Sequence, residues 1–169
     1  HGLVDSLYIH KPAIQEREVQ RLIWDIEKLT GIPMEFEGRF KWVVFLSSVS
    51  EDRPVPTRYY GAFIDGSVKV RGVQARQKSQ PWFIRNLQQR IIEYLAGFDA
   101  DELAEHIPYT VRIARAALTQ IDSLSGDELA YSVYISKTEY TANCPQARAI
   151  ARCKKTPQPG ERIRYVHDA

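Results

Sequence analysis

The chain is short of several things, and each shortage closes off a class of protein. Cysteine is scarce: only Cys144 and Cys153 occur in 169 residues. Two thiols make no disulfide framework, and their spacing matches no zinc-ligand pattern. Only His106 and His167 accompany them in the second half, so no structural metal site is expected there. Both thiols read as reduced cytosolic cysteines. Long apolar runs are absent: none nears the ~18 residues that a membrane helix needs. No signal-peptide pattern opens the chain. Internal repeats and low-complexity tracts are absent too. The first residue is His1, already within a strand-like run, and the chain reads as a fragment.

What is present is an ordinary globular composition, 44% apolar and 26% charged, of about one domain in length. The net charge of +2 conceals a pattern. Residues 1–38 are net −3, residues 39–90 net +7, residues 91–135 net −6 and residues 136–169 net +4. Two basic stretches flank an acidic one. Folded together, they would make a basic face suited to a polyanion. Charge alone leaves chance clustering on a solvated surface equally open.

Periodicity divides the chain in two near residue 77. Gly2 to Ile9 alternates like a strand and is closed by Pro12. Val19, Leu22, Ile23, Ile26 and Leu29 form one helical stripe, stopped by Gly31 and Pro33. Phe36 to Leu46 reads as a buried strand, and Ser47 to Pro56 as a polar loop. Tyr59 to Ile64 and Ser67 to Val73 form a hairpin about Asp65-Gly66. The first part is thus expected to run β-α-β-β-β.

Beyond Pro81 the period becomes 3.6. Ile84, Leu87, Ile91 and Leu95 make a helix ended by Gly97. A short acidic helix is expected at Asp101 to His106, and a separate one along Val111, Ala114, Ala117, Leu118 and Ile121. Leu129 to Ile135 reads as extended, Gln146 to Arg152 as a short helix after Pro145, and Arg162 to Val166 as a terminal strand. Trp42 is expected in the core, Trp24 at a helix edge and Trp82 as an anchor of the helix after Pro81, none of them stacking on bases.

Several runs, in order, carry a resemblance. His1-Gly2-Leu3-Val4-Asp5-Ser6, followed by Leu7-Tyr8-Ile9, resembles the Tyr-Gly-Asp-Thr-Asp-Ser motif of family B DNA polymerases. Asp5 falls on the second Asp, while Leu3 and Val4 replace the first Asp and the Thr. Thr30-Gly31-Ile32-Pro33 and Phe40 to Leu46 follow in the family's order. Pro56-Thr57-Arg58-Tyr59 resembles the Lys-Lys-Arg-Tyr region, without its lysines. Lys69-Val70-Arg71-Gly72-Val73-Gln74 resembles the Arg-Gly-Leu/Ile-Glu run, with Gln74 for the Glu and Ser79 for a later Asp. Leu129 to Lys137, Pro145 to Ala151 and Pro159 to Tyr165 resemble later family segments.

The chain therefore resembles the C-terminal palm and thumb of an archaeal family B DNA polymerase, as a divergent paralogue with a degenerate Asp-Thr-Asp motif. The resemblance implies an α+β fold: an antiparallel palm remnant with a covering helix over residues 1–77, then a mainly helical thumb over 78–169. It implies that Asp5 is a catalytic, metal-binding carboxylate for Mg2+ in the intact enzyme, with the metal expected to be absent from this fragment. The other essential carboxylate belongs to an upstream motif, so the isolated chain is not expected to be active. Expected partners are primer–template DNA, dNTP in the intact enzyme, and the remaining palm, fingers and exonuclease in cis or as another chain. The implied location is cytoplasmic and nucleoid-associated, with no membrane.

Arg58, Tyr59, Lys69, Arg71, Arg76 and Lys78 are the expected DNA contacts near the palm–thumb junction. Lys137, Arg148, Arg152, Lys154 and Lys155 are those expected in the thumb. Cations at phosphates grip duplex without reading its sequence. Two rivals stand beside this reading. One is a non-catalytic DNA-binding subunit or inactivated paralogue. The other is an unrelated RNA-binding α+β module with aromatics exposed on a sheet face.

Overall fold

The computed structural model describes residues 6–48, 53–140 and 144–167. Helix α1 spans Glu16–Thr30 and starts with the Glu18 carboxylate accepting the Gln15 N–H at 2.9 Å. Lys11 adds an ion pair to Glu18 at 2.5 Å, and together these bonds hold the Glu18 carboxyl below its usual range. At the other end the Gly31 N–H returns to the Glu27 carbonyl.

Three antiparallel strands follow: β1 at Phe40–Ser47, β2 at Pro54–Phe63 and β3 at Val68–Arg71. The β2–β3 turn is built on Asp65, whose Oδ1 accepts both the N–H and the hydroxyl of Ser67. These bonds hold the Asp65 carboxyl below its ordinary value. Gly66 follows at φ 85°, a backbone state that side chains rarely adopt.

Alternation sorts the sheet into two faces. Trp42, Val44, Tyr60, Ala62, Val68 and Val70 face helix α2, which spans Trp82–Ala96. Ile92, Leu95 and Ala96 of α2 are buried against them. The Trp42 indole is 6% exposed, and its N–H donates to the Phe98 carbonyl at 3.0 Å. Burying it contributes about 3 kcal/mol by transfer alone. The opposite face carries Phe40, Phe45, Tyr59 and Phe63. Phe40 stacks on Phe63 at 4.2 Å, and Tyr8 covers the rest, with its ring 5.6 Å from those of both Phe45 and Tyr59.

Helix α3 spans Leu103–Leu118 and meets α2 through Tyr94, Phe98, His106 and Tyr109. A short helix α4, Gly126–Leu129, starts with Ser125 and Glu128 capping each other. Strand β4, Tyr131–Tyr134, and strand β5, Arg162–Tyr165, form a second antiparallel sheet, with α5 at Pro145–Ala151 beside β5. The Ser132 N–H donates to the Ser79 carbonyl at 2.9 Å, tying this sheet to the loop before α2.

The fold is α+β with small antiparallel sheets, as expected. Two expectations fail locally. Residues 6–10 form no strand, only an isolated bridge at Leu7, while the Gly2–Asp5 part of that run lies outside the described residues. The two expected helices after residue 100 are a single one, α3, which runs through Pro108. Proline removes one intrahelical bond. Ala104, whose carbonyl loses its donor, and Pro108 are both exposed, so water can serve that carbonyl.

Candidate nucleic-acid interface

The expected junction contacts separate into two kinds. Arg58, Arg71 and Arg76 are exposed, and none makes an ion pair among the described residues. Arg58 and Arg71 stand near a tight crossing of β2 and β3 and lie on opposite faces of the sheet, because Tyr59, next to Arg58, is the residue that pairs with Arg71. Gly72, at φ 64°, lies so close to β2 that an added Cβ would stand 2.2 Å from the Thr57 carbonyl and 2.9 Å from the Arg58 Cγ. Only glycine fits there. The Gly72 crossing thus draws the end of β3 against Thr57 and Arg58 of β2 by close backbone approach.

Tyr59 and Lys69 are different. The Tyr59 ring is 2% exposed, and its hydroxyl accepts a bond from the Tyr8 hydroxyl at 2.5 Å. Burial and that bond push the Tyr8 phenol well above its usual range. The Lys69 ammonium is bonded to the Glu37 carboxylate and mostly covered. In register, Tyr59 pairs with Arg71 and Gly61 with Lys69, so Tyr59, Lys69 and Arg71 share the sheet face that Tyr8 covers.

In the second half the expected residues are more open. Lys137, Lys154 and Lys155 are exposed. Arg148 on α5 and Arg152 just after it, also exposed, line an open hollow of about 470 Å³ beside β5, together with Arg164 and His167. Lys78 lines a second cleft, of about 280 Å³, formed by the start of α2, α4 and the β4–β5 sheet. Arg85, Arg162, Arg164 and Trp82 line it too, none of them an expected contact. The signal was present in part: Arg162 and Arg164 lie two apart in a strand and so on one face. What joins them to Lys78 is the β4–β5 pairing and the Ser132–Ser79 bond, which no local pattern announces.

Asp5, the expected catalytic and metal-binding carboxylate, lies outside the described residues. Among the described residues no group of three or more His, Cys, Asp or Glu side chains could hold a metal ion. No chemical step is assigned to them. No helix among them is long and apolar enough to cross a membrane.

No protein-family model matches the chain. Curated relatives do. DNA polymerase 1 of Sulfurisphaera ohwakuensis is 23% identical over 152 residues, 86% of this chain and 16% of that protein. DNA polymerase 1 of Sulfolobus acidocaldarius is 24% identical over the same share of the chain. That of Aeropyrum pernix is 24% identical over 98% of the chain and 17% of its own length. Among solved structures, the family B DNA polymerase of Pyrobaculum calidifontis matches with a TM-score of 0.55 and 21% identity, covering 90% of this chain and 19% of that one. The chain thus spans about one-sixth of the length of the curated relatives it matches. Ordered similarity of sequence, with a shared α+β fold, makes the chain a homologue of part of an archaeal family B DNA polymerase.

Proposed function

We propose that the chain is the duplex-gripping portion of a DNA-directed DNA polymerase, with palm over residues 1–77 and thumb over residues 78–169. The observation that carries this reading is that Arg58, Arg71 and Arg76, on the homologous stretch, stay exposed and make no ion pair among the described residues. Arginines so placed bind phosphates irrespective of sequence, which a polymerase needs. Arg76 and Lys78 extend that line. Lys137, Arg148, Arg152, Lys154 and Lys155 add a second basic surface. Tyr59 and Lys69 serve from within: their bonds to Tyr8 and Glu37 hold the sheet that carries Arg71.

In the intact protein Asp5 would supply one oxygen ligand to Mg2+, with upstream carboxylates supplying the rest. The metal would neutralise charge on the reacting phosphates. A single carboxylate does not hold magnesium firmly, so the 169-residue chain by itself does not extend primers. Its partners are then primer–template DNA, dNTP and the remaining polymerase, in a cytoplasmic, nucleoid-associated setting. Leu3 and Val4, standing where the family has Asp and Thr, favour a second reading: a non-catalytic DNA-binding subunit or inactivated paralogue.

The test is binding to labelled primer–template duplex across a salt series. The reading expects affinity to fall steeply with salt, with little dependence on sequence. R58Q/R71Q should flatten the salt slope by about 2. Salt-insensitive binding, or a slope unchanged in R58Q/R71Q, would overturn it. Primer extension by the pure chain would contradict the claim that it is inactive alone.

A further inference from the structure

The cleft at the start of α2 has a composition unlike the rest of the surface. Four cations line it: Lys78, Arg85, Arg162 and Arg164. One carboxylate, Asp127, lies among them and is engaged by Arg164 at 2.7 Å. Arg162 is steadied by the Ser132 hydroxyl. Lys78 and Arg85 make no ion pair among the described residues. After the Asp127 pair is discounted, three positive charges converge on one hollow.

Two backbone and side-chain features add to this. Helix α2 starts at the cleft with Pro81 at its N-cap, no capping side chain and no acidic residue in its first turn. Its free N–H groups and the positive end of its dipole are therefore uncompensated, which favours an anion. The Oε1 of Gln80, also lining the cleft, is buried and accepts no bond among the described residues. Buried acceptors without a donor are rare.

Trp82 completes the site. It begins α2 and is 50% exposed at the cleft, unlike the buried Trp42. An anion-binding hollow needs no exposed indole. A ligand that carries both phosphate and a planar base uses both. We propose that this cleft binds an unpaired nucleotide of single-stranded DNA, with the phosphate held by Lys78, Arg85 and Arg162 and the base stacked on Trp82. A base paired within a duplex has both its faces covered by neighbours, so it cannot lie on Trp82. An extruded or single-stranded base can. This goes beyond the duplex grip and, apart from Lys78, which both readings use, rests on different residues.

The experiment measures binding of the 169-residue chain to short labelled oligothymidylate, to an abasic strand of the same length and to blunt duplex. W82A weakens oligothymidylate binding about tenfold and leaves the abasic strand and the duplex unchanged. K78Q/R85Q, which alters two cations without ion pairs, weakens both single strands alike and reduces the salt slope by about 2. Circular dichroism shows whether each variant is folded. The proposal is overturned if folded W82A binds oligothymidylate as wild type does. It is overturned if K78Q/R85Q leaves single-strand affinity within about twofold, a readout that stands even if W82A fails to fold. Equal losses for duplex and oligothymidylate in W82A also overturn it, and would assign the cleft to the duplex grip. R58Q/R71Q tests the duplex reading separately, so either proposal can fail alone.

Discussion

The sheet with α2 and the β4–β5 region use charge and apolar surface in different ways. In the first, Trp42, Ala62, Val70, Ile92 and Leu95 are buried together, and two lysines are tied down, Lys69 by Glu37 and Lys41 by Asp99, while Arg58 and Arg71 stay exposed at the strand ends. In the second, Ala130, Ile135 and Ile163 are the buried apolar residues, while arginines and lysines face solvent around two hollows. The first region packs more of its surface, and the second leaves more of it open. Regions that bind are drawn from the less tightly packed end of a fold. The comparison therefore says where substitutions should unfold the protein and where they should only weaken binding.

The largest effect should come from W42A. It empties a core site and leaves the Phe98 carbonyl without its donor, at a cost of about 4 kcal/mol. Urea unfolding measures it. I163A, in the smaller β4–β5 core, should cost about half as much; equal losses would break the contrast between the regions. Next comes G72A, which forces a Cβ onto the Thr57 carbonyl at a positive φ. We expect about 3 kcal/mol lost, a fall of roughly 6–12 °C in Tm for a chain of this size.

Smaller is the effect of Y8F, about 1 kcal/mol from the lost bond to Tyr59. It sharpens the comparison through pH. The Tyr8 phenol is raised in the folded state, first by burial and then by that bond. The folded chain thus holds a proton that the unfolded chain releases above about pH 10. Stability is fully present below that pH and is lost as pH rises through the folded value. Thermal melts at rising alkaline pH should show the loss in wild type and a weaker one in Y8F. Smallest of all should be K154Q/K155Q, both exposed, with stability changed by less than about 0.5 kcal/mol and only a modest loss of duplex affinity.

Much of the fold was legible because it is local. The stripe from Val19 to Leu29 gave α1, the stripe from Ile84 to Leu95 gave α2, and Asp65-Gly66 gave the hairpin. What escaped was non-local. Leu7 looks like a strand residue, yet its neighbours find only one bridge, and Tyr8 instead packs its ring on the sheet face. Lys69 looked like a free cation until folding brought it to Glu37, 32 residues earlier. Tyr59 looked like a surface hydroxyl, and the fold closes Tyr8 over it. Arg162 and Arg164 meet Lys78 only because a terminal strand pairs with one 30 residues upstream. Charge counts find basic stretches, but pairing decides which of their cations remain free.

Helix α2 has one more consequence, a mechanical one. Its last turn packs against Trp42 and Ala62, Ile92 against Val70 and Val73, and the Gln88 side chain is bonded to the Ala75 N–H and to Gln74, while its first turn lines the cleft. Fifteen residues make a rod of about 22 Å. Because that rod is held at its middle as well as at its end, a push at the cleft is carried along it into the sheet.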